Sequence, residues 1–130
     1  MNKKKILIVD DEEKFTKYVK LNLEFKGKYE VRVENKGAHG LEAAKTFKPD
    51  LILLDVMMPD MDGSEVAAQL KEEESCKNIP VVFLTAIVTE QEINEKGSNI
   101  GGHPFIAKPI NLENLISSIE QNIVNNSKLK

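Results

Sequence analysis

Ile6-Leu7-Ile8-Val9-Asp10-Asp11 is an unbroken apolar run that stops on two acids, and the same arrangement returns three times along the chain. Leu51-Ile52-Leu53-Leu54 ends on Asp55, Val81-Val82-Phe83-Leu84 on Thr85, and Phe105-Ile106-Ala107 on Lys108. Apolar runs of this length, without alternation, are the pattern of strands buried on both faces, which is how parallel strands sit. Ligands of open parallel sheets gather beyond the carboxyl ends of the strands. Three carboxylates, a hydroxyl and an ammonium are therefore expected around one small cavity, a set suited to a divalent metal and a phosphoryl group.

The intervening segments read as helices. Glu12 to about Lys26 carries Phe15, Tyr18, Val19 and Leu23 on one broad face, interrupted by Asn22, and closes at Gly27. Tyr29 to Val33 alternates as a second strand, and the helix through Leu41, Ala44 and Phe47 stops before Pro49. Ser64 can cap a third helix that turns Val66, Ala67 and Leu70 inward, and Pro80 opens the fourth strand. Thr89 can cap a short fourth helix, and Asn111 a fifth with Leu112, Leu115, Ile116, Ile119 and Ile123 at helical spacing. Strands and helices in this alternation imply right-handed βαβ crossovers with helices on both faces of a parallel sheet. Residues 1–130 read as a single domain whose polar tail, about 125–130, is expected to fray.

Composition narrows the functions. A net charge of -3 and a single arginine, Arg32, argue against direct nucleic-acid binding, which leaves a basic patch or stripe. Bidentate arginine recognition of phosphate is nearly absent from such a chain, so an anion must be met by lysine, metal or backbone N–H. No apolar stretch approaches the roughly 18 residues of a membrane span, so no membrane insertion is expected. The run after Lys3-Lys4-Lys5 stops at Asp10, too short for a secretion signal, and the lone Cys76 suits a reducing compartment. The expected location is the cytoplasm.

Asp55 ends the most apolar strand. Its carboxylate is ionised at neutral pH and needs no general base to attack phosphorus; it needs charge neutralisation and alignment. Asp10 and Asp11 converge on the same place, and a hard divalent cation is the natural relief of three crowded carboxylates. The expected ion is Mg2+, held directly by Asp11 and Asp55, through water by Asp10, and by the backbone carbonyl of Met57, where the loop curls back. Lys108 offers a fixed positive charge to one phosphoryl oxygen and Thr85 a hydroxyl to another. Each signal alone is common in solvated loops; their joint placement at four strand ends is specific. Met57, Met58 and Met61 beside three aspartates read as packing and loop residues rather than a soft-metal site. Cys76, His39 and His103 read as residues without function.

Ile6 to Glu12, Pro49 to Asp55, Met57-Met58-Pro59-Asp60-Met61-Asp62-Gly63, Ile79 to Ala86 and Lys108-Pro109 together resemble the response regulator receiver domain of two-component signalling, over about Lys4 to Asn125. The resemblance implies a (βα)5 flavodoxin-like, doubly wound parallel sheet of order 2-1-3-4-5. It implies that Asp55 accepts a phosphoryl group from the phosphohistidine of a sensor histidine kinase or phosphotransfer protein. Thr85 and Phe105 become a switch pair that biases the face of the fourth helix, fifth strand and fifth helix toward a downstream protein target. The Lys108-Pro109 bond is expected to be cis. On this reading the chain is not an enzyme beyond its own phosphorylation and dephosphorylation. Apolar Met57 and Ile87, two residues beyond Asp55 and Thr85, cannot orient an attacking water, so slow self-dephosphorylation is expected.

Some positions depart from the family. Gly101-Gly102-His103-Pro104-Phe105 alters the entry to the fifth strand, Ile110 replaces an aromatic residue, Phe105 lacks a tyrosine's hydroxyl, and Lys28 stands as an insertion. Four other readings remain. An aspartyl-phosphate phosphatase or phosphotransferase would want an acid at Met57. A flavin-binding carrier would want a phosphate-cradling loop where Asp10 to Glu13 stand. A metal-independent pseudo-receiver is disfavoured by the intact acids. A free-standing regulator is preferred to the N-terminal receiver fragment of a longer transcriptional regulator.

Overall fold

The computed structural model describes residues 3–86, 99–100 and 103–128. Five parallel strands form its sheet: β1 (Lys4–Val9), β2 (Tyr29–Glu34), β3 (Leu51–Asp55), β4 (Val81–Thr85) and β6 (His103–Ala107), in spatial order β2-β1-β3-β4-β6. Counting parallel strands alone, this is the expected 2-1-3-4-5. One element was not expected: β5 (Asn99–Ile100) pairs antiparallel with β6 and extends that edge.

Side-chain alternation along the strands divides the core in two. Leu7, Val9, Ile52, Leu54, Val81 and Phe83 pack against Ala43 and Ala44 of α2 (Gly40–Phe47) and Val66, Ala67 and Leu70 of α3 (Gly63–Glu72). Ile6, Ile8, Leu51, Leu53, Val82 and Leu84 pack against Val19 and Leu23 of α1 (Glu13–Glu24) and Leu115 and Ile119 of α4 (Leu112–Lys128). Every residue of β3 and β4 is buried, which is why those runs show no polar alternation in sequence.

Helix ends follow local chemistry, with corrections. Gly27 takes a positive φ of 77° after α1, as a closing glycine should. Asn111 caps α4 through a 3.1 Å bond from the Asn114 N–H. Ser64 does not cap α3: the helix begins at Gly63 with Asp62 in the cap position, and neither makes a side-chain cap bond. Tyr18, expected on the buried face of α1, is 49% exposed, because Thr16 occupies the inward arc instead. The tail expected to fray from Asn125 stays helical through Lys128. No glycine or proline interrupts it, and Asn122 returns a 2.7 Å bond to the Ser118 carbonyl. The expected fourth helix after Thr89, with Ile87, Gly101 and Gly102, lies outside the described residues.

Candidate functional site

Parallel register brings the strand ends to one edge: Asp55 is opposite Leu84, Thr85 is opposite Ala107, and the Lys108 N–H donates to the Thr85 carbonyl at 2.8 Å. Asp10 follows β1 directly, its N–H bonded to the Glu34 carbonyl at 3.0 Å. The Lys108-Pro109 peptide is cis, as expected. Asp10, Asp55 and Thr85 are buried, Asp11 half-buried. One carboxylate oxygen from each of Asp10, Asp11 and Asp55 lies within 4.8 Å of the others.

A close backbone approach shapes the Asp55 loop. The Gly63 N–H donates to the Val56 carbonyl at 2.8 Å, and a Cβ on Gly63 would stand 2.2 Å from the Asp55 carbonyl oxygen. Only glycine fits there. The Met57 N–H reaches Asp55 Oδ1 at 3.4 Å, while the Met57 side chain is 60% exposed.

The ammonium of Lys108 is held more widely than the sequence implied. Nζ lies 2.6 Å from Asp10 Oδ2, 2.6 Å from Glu12 Oε1 and 3.9 Å from Asp55 Oδ2, and sits 4.5 Å from the centre of the Phe15 ring. Glu12 and Phe15 were not read as site residues. Glu12 adjoins the acid pair, the one signal that pointed to it; Phe15 read as ordinary helix-face packing.

Burial and charge set the titration of these groups. Asp55 is pushed up to about 7, first by burial and then by the Asp10 charge, against the lowering pull of Lys108. Burial raises Asp10 despite the neighbouring Lys108 ammonium and the bond from the Glu12 N–H. Burial lowers Lys108, but Asp10 and Glu12 outweigh it and hold the ammonium charged. Asp10 Oδ2, buried without an aligned hydrogen-bond donor, has the Lys108 ammonium beside it. Among the described residues one cation faces three converging carboxylates, so negative charge is left uncompensated, and these oxygen donors could hold a metal ion.

Phe105 is half-buried, paired across the sheet with Phe83 and on the same face as Thr85 two residues on. His103, read as an exposed loop residue, is half-buried in β6 and packs edge-on against the Phe83 ring at 5.4 Å. His39 is exposed, 3.8 Å from Glu34.

A doubly wound α/β domain with an acidic pocket and one lysine at its carboxyl edge is the class that fold and site define. Residues 6–120 match the response regulator receiver domain, and the chain belongs to that family, which serves two-component signalling. It is 40% identical over 121 residues to YkoG of Bacillus subtilis, an uncharacterized transcriptional regulatory protein, covering 92% of this chain and 50% of that protein. It is 32% identical over 117 residues to DivK of Brucella anthropi, a polar-differentiation response regulator, covering 90% of this chain and 94% of that one. A CheY-like receiver domain from Methanospirillum hungatei superposes with a TM-score of 0.82 at 27% identity, covering 99% and 100% of the two chains. The chain spans about half the length of several of the curated relatives it matches. Among the described residues no helix is long and apolar enough to cross a membrane.

Proposed function

We propose that this receiver accepts a phosphoryl group on Asp55, from the phosphohistidine of a sensor histidine kinase or phosphotransfer protein, in the cytoplasm. The observation that carries the reading is the meeting of Asp10, Asp11 and Asp55 within 4.8 Å beside the Lys108 ammonium. Asp55 Oδ attacks phosphorus as the bond to the histidine nitrogen breaks, and that nitrogen keeps the electron pair. Mg2+ would be held by Asp11, Asp55 and the Met57 carbonyl and through water by Asp10, and would supply the charge neutralisation that lets two anions meet.

Lys108 then turns from its carboxylate partners to a phosphoryl oxygen. The exposed Glu12 is the contact given up at least cost, because Asp10 is wholly buried. Thr85 supplies a hydroxyl to a second oxygen, and Phe105, across from Phe83, repacks with it. The surface of β6 and α4 changes with them and is read by a downstream protein. Catalysis is confined to the domain's own phosphorylation and dephosphorylation, and with Met57 unable to orient water the phosphoryl group is lost slowly.

The test is incubation with acetyl phosphate and Mg2+ followed by intact-mass measurement. One added phosphate is expected on the parent, and none on Asp55→Asn or with chelator present. A phosphate that survives Asp55→Asn overturns the assignment.

A further inference from the structure

Two side chains that touch none of the reacting groups tie the segment after β2 to both loops of the site. Asn35 Nδ2 donates to the Asp10 carbonyl at 2.8 Å and to Thr16 Oγ1 at 3.1 Å. Two residues further on, the Gly37 and Ala38 N–H groups donate to Asp60 Oδ1 and Oδ2 at 3.1 and 3.0 Å. Asp60 stands midway along the loop from Asp55 to Gly63, and these backbone bonds hold its carboxyl below the usual range. The two segments are also in close contact. A Cβ on Gly37 would lie 2.9 Å from the Met61 carbonyl oxygen and 3.1 Å from Met58 Cε.

Residues 35–38 thus form a short bar, bonded at one end to the loop bearing Asp10 and Asp11 and at the other to the loop bearing Met57. The ends of the Asp55 loop are pinned separately, by Val56 N–H to the Leu84 carbonyl and Gly63 N–H to the Val56 carbonyl. Neither of those bonds refers the loop to the acid pair. The bar does.

We infer that Asn35 and Asp60 are positioning residues that hold the acid pair and the Asp55 loop at a fixed separation, so that the metal ligands are arranged before the ion arrives. The metal part of this inference rests on the function proposed above; the mechanical part does not. Groups that orient metal ligands are commonly worth about 10–100-fold in affinity. Asn35 and Asp60 act one bond further out, so a loss of about 3–10-fold each is expected on that scale.

The experiment compares the parent with Asn35→Ala, Asp60→Ala, their double variant and Asp60→Asn, which keeps one acceptor. Mg2+ affinity is measured by calorimetry, and amide exchange is followed in metal-free protein. Each alanine variant should weaken Mg2+ binding by the stated factor, the double variant by less than the product, and Asp60→Asn by less than Asp60→Ala. Asn35→Ala should speed exchange at Met57 to Met61 as well as at Asp11 and Glu12, a transfer across the bar that loss of local structure alone would not give. Glu120→Gln, at the far end of the sheet, controls for general destabilisation and should leave Mg2+ affinity unchanged. Mg2+ affinities within twofold of the parent, or exchange changes confined to the loop carrying the substitution, overturn the inference. A parent that binds no Mg2+ would remove the proposed function, while the exchange pattern would still decide whether the bar couples the loops.

Discussion

The two ends of the sheet each gather charge, and they balance it in opposite ways. At the amino end, Lys4 Nζ meets Glu120 Oε1 at 2.7 Å, and the buried Tyr29 hydroxyl donates to the other oxygen of the same carboxylate. One cation, one anion and one hydroxyl satisfy each other, and Glu120 is held below the usual carboxylate range by its bonds from Lys4 and Tyr29. At the carboxyl end, Asp10, Glu12 and Asp55 surround the ammonium of Lys108, Asp11 adds a further carboxylate beside Asp10 and Asp55, and Asp55 rises to about 7. Charge left unbalanced in a structure that could balance it elsewhere is where a ligand's contribution is reserved.

Removing the cation from each end should separate them most sharply. Lys108→Ala strands the buried Asp10 carboxylate and is expected to cost about 3–5 kcal/mol in urea unfolding, the range for breaking a buried pair. Asp10→Asn in the same background should recover much of it. A loss below about 1 kcal/mol would place Lys108 with exposed pairs and erase the contrast.

The next effect is a pH dependence with opposite signs at the two ends. Asp55, raised in the folded state, binds its proton when the unfolded carboxyl has already lost it. Metal-free stability should therefore fall as pH rises from about 4 to about 7, by at most about 1.4 kcal/mol per unit. Asp55→Asn should remove Asp55's share of that decline and leave the share of Asp10, which burial also raises, and saturating Mg2+ should offset it by binding the folded state. Glu120 is lowered, so its contribution is present above the ordinary carboxylate range and fades as pH drops through its folded value. Urea melts across pH for the parent, Asp55→Asn and Glu120→Gln measure both signs.

How far these two ends were legible in the sequence follows from the same physics. Asp10, Asp55 and Thr85 announced themselves because each terminates a run that burial on both faces had stripped of polar residues, whereas Lys108 ends the half-buried edge run of β6 and was legible only because Phe105-Ile106-Ala107 happens to be apolar. Glu12, Asn35 and Asp60 carry no such signal. They are polar residues in loops or at a helix start, and their partners lie 96, 25 and 22–23 residues away along the chain. Only the closed sheet brings them together. Tyr18 misled for a related reason: the apolar arc of α1 is wider than the arc the sheet covers, so periodicity alone could not choose between Tyr18 and Thr16. The helical tail past Asn125 was missed because polar composition resembles fraying when no breaker marks the end.

A smaller loss is expected from Tyr29→Phe, which deletes a hydroxyl bonded to a charged acceptor while keeping the ring in place. Hydrogen bonds to charged groups contribute about 1.5–3 kcal/mol when buried, and Glu120 is only half-buried, so the lower end of that range is expected in urea unfolding. Mg2+ binding, at the other end of the sheet, should not respond. A change in metal affinity would mean that the two charge clusters communicate through β1.

The weakest effects should come from the exposed half of each network, and there the two ends should look alike in stability and differ in function. Lys4→Ala and Glu12→Gln each remove one member of a solvent-facing pair, worth about 0.2–1 kcal/mol by the usual measure. Lys4→Ala should do nothing further. Glu12→Gln should also quicken phosphoryl uptake from acetyl phosphate by a few-fold, about the factor that one such pair allows, because Glu12 competes with the incoming oxygen for Lys108. Equal uptake rates for Glu12→Gln and the parent would show that the 2.6 Å contact with Glu12 opens without measurable cost, leaving Asp10 alone to set how readily the ammonium turns.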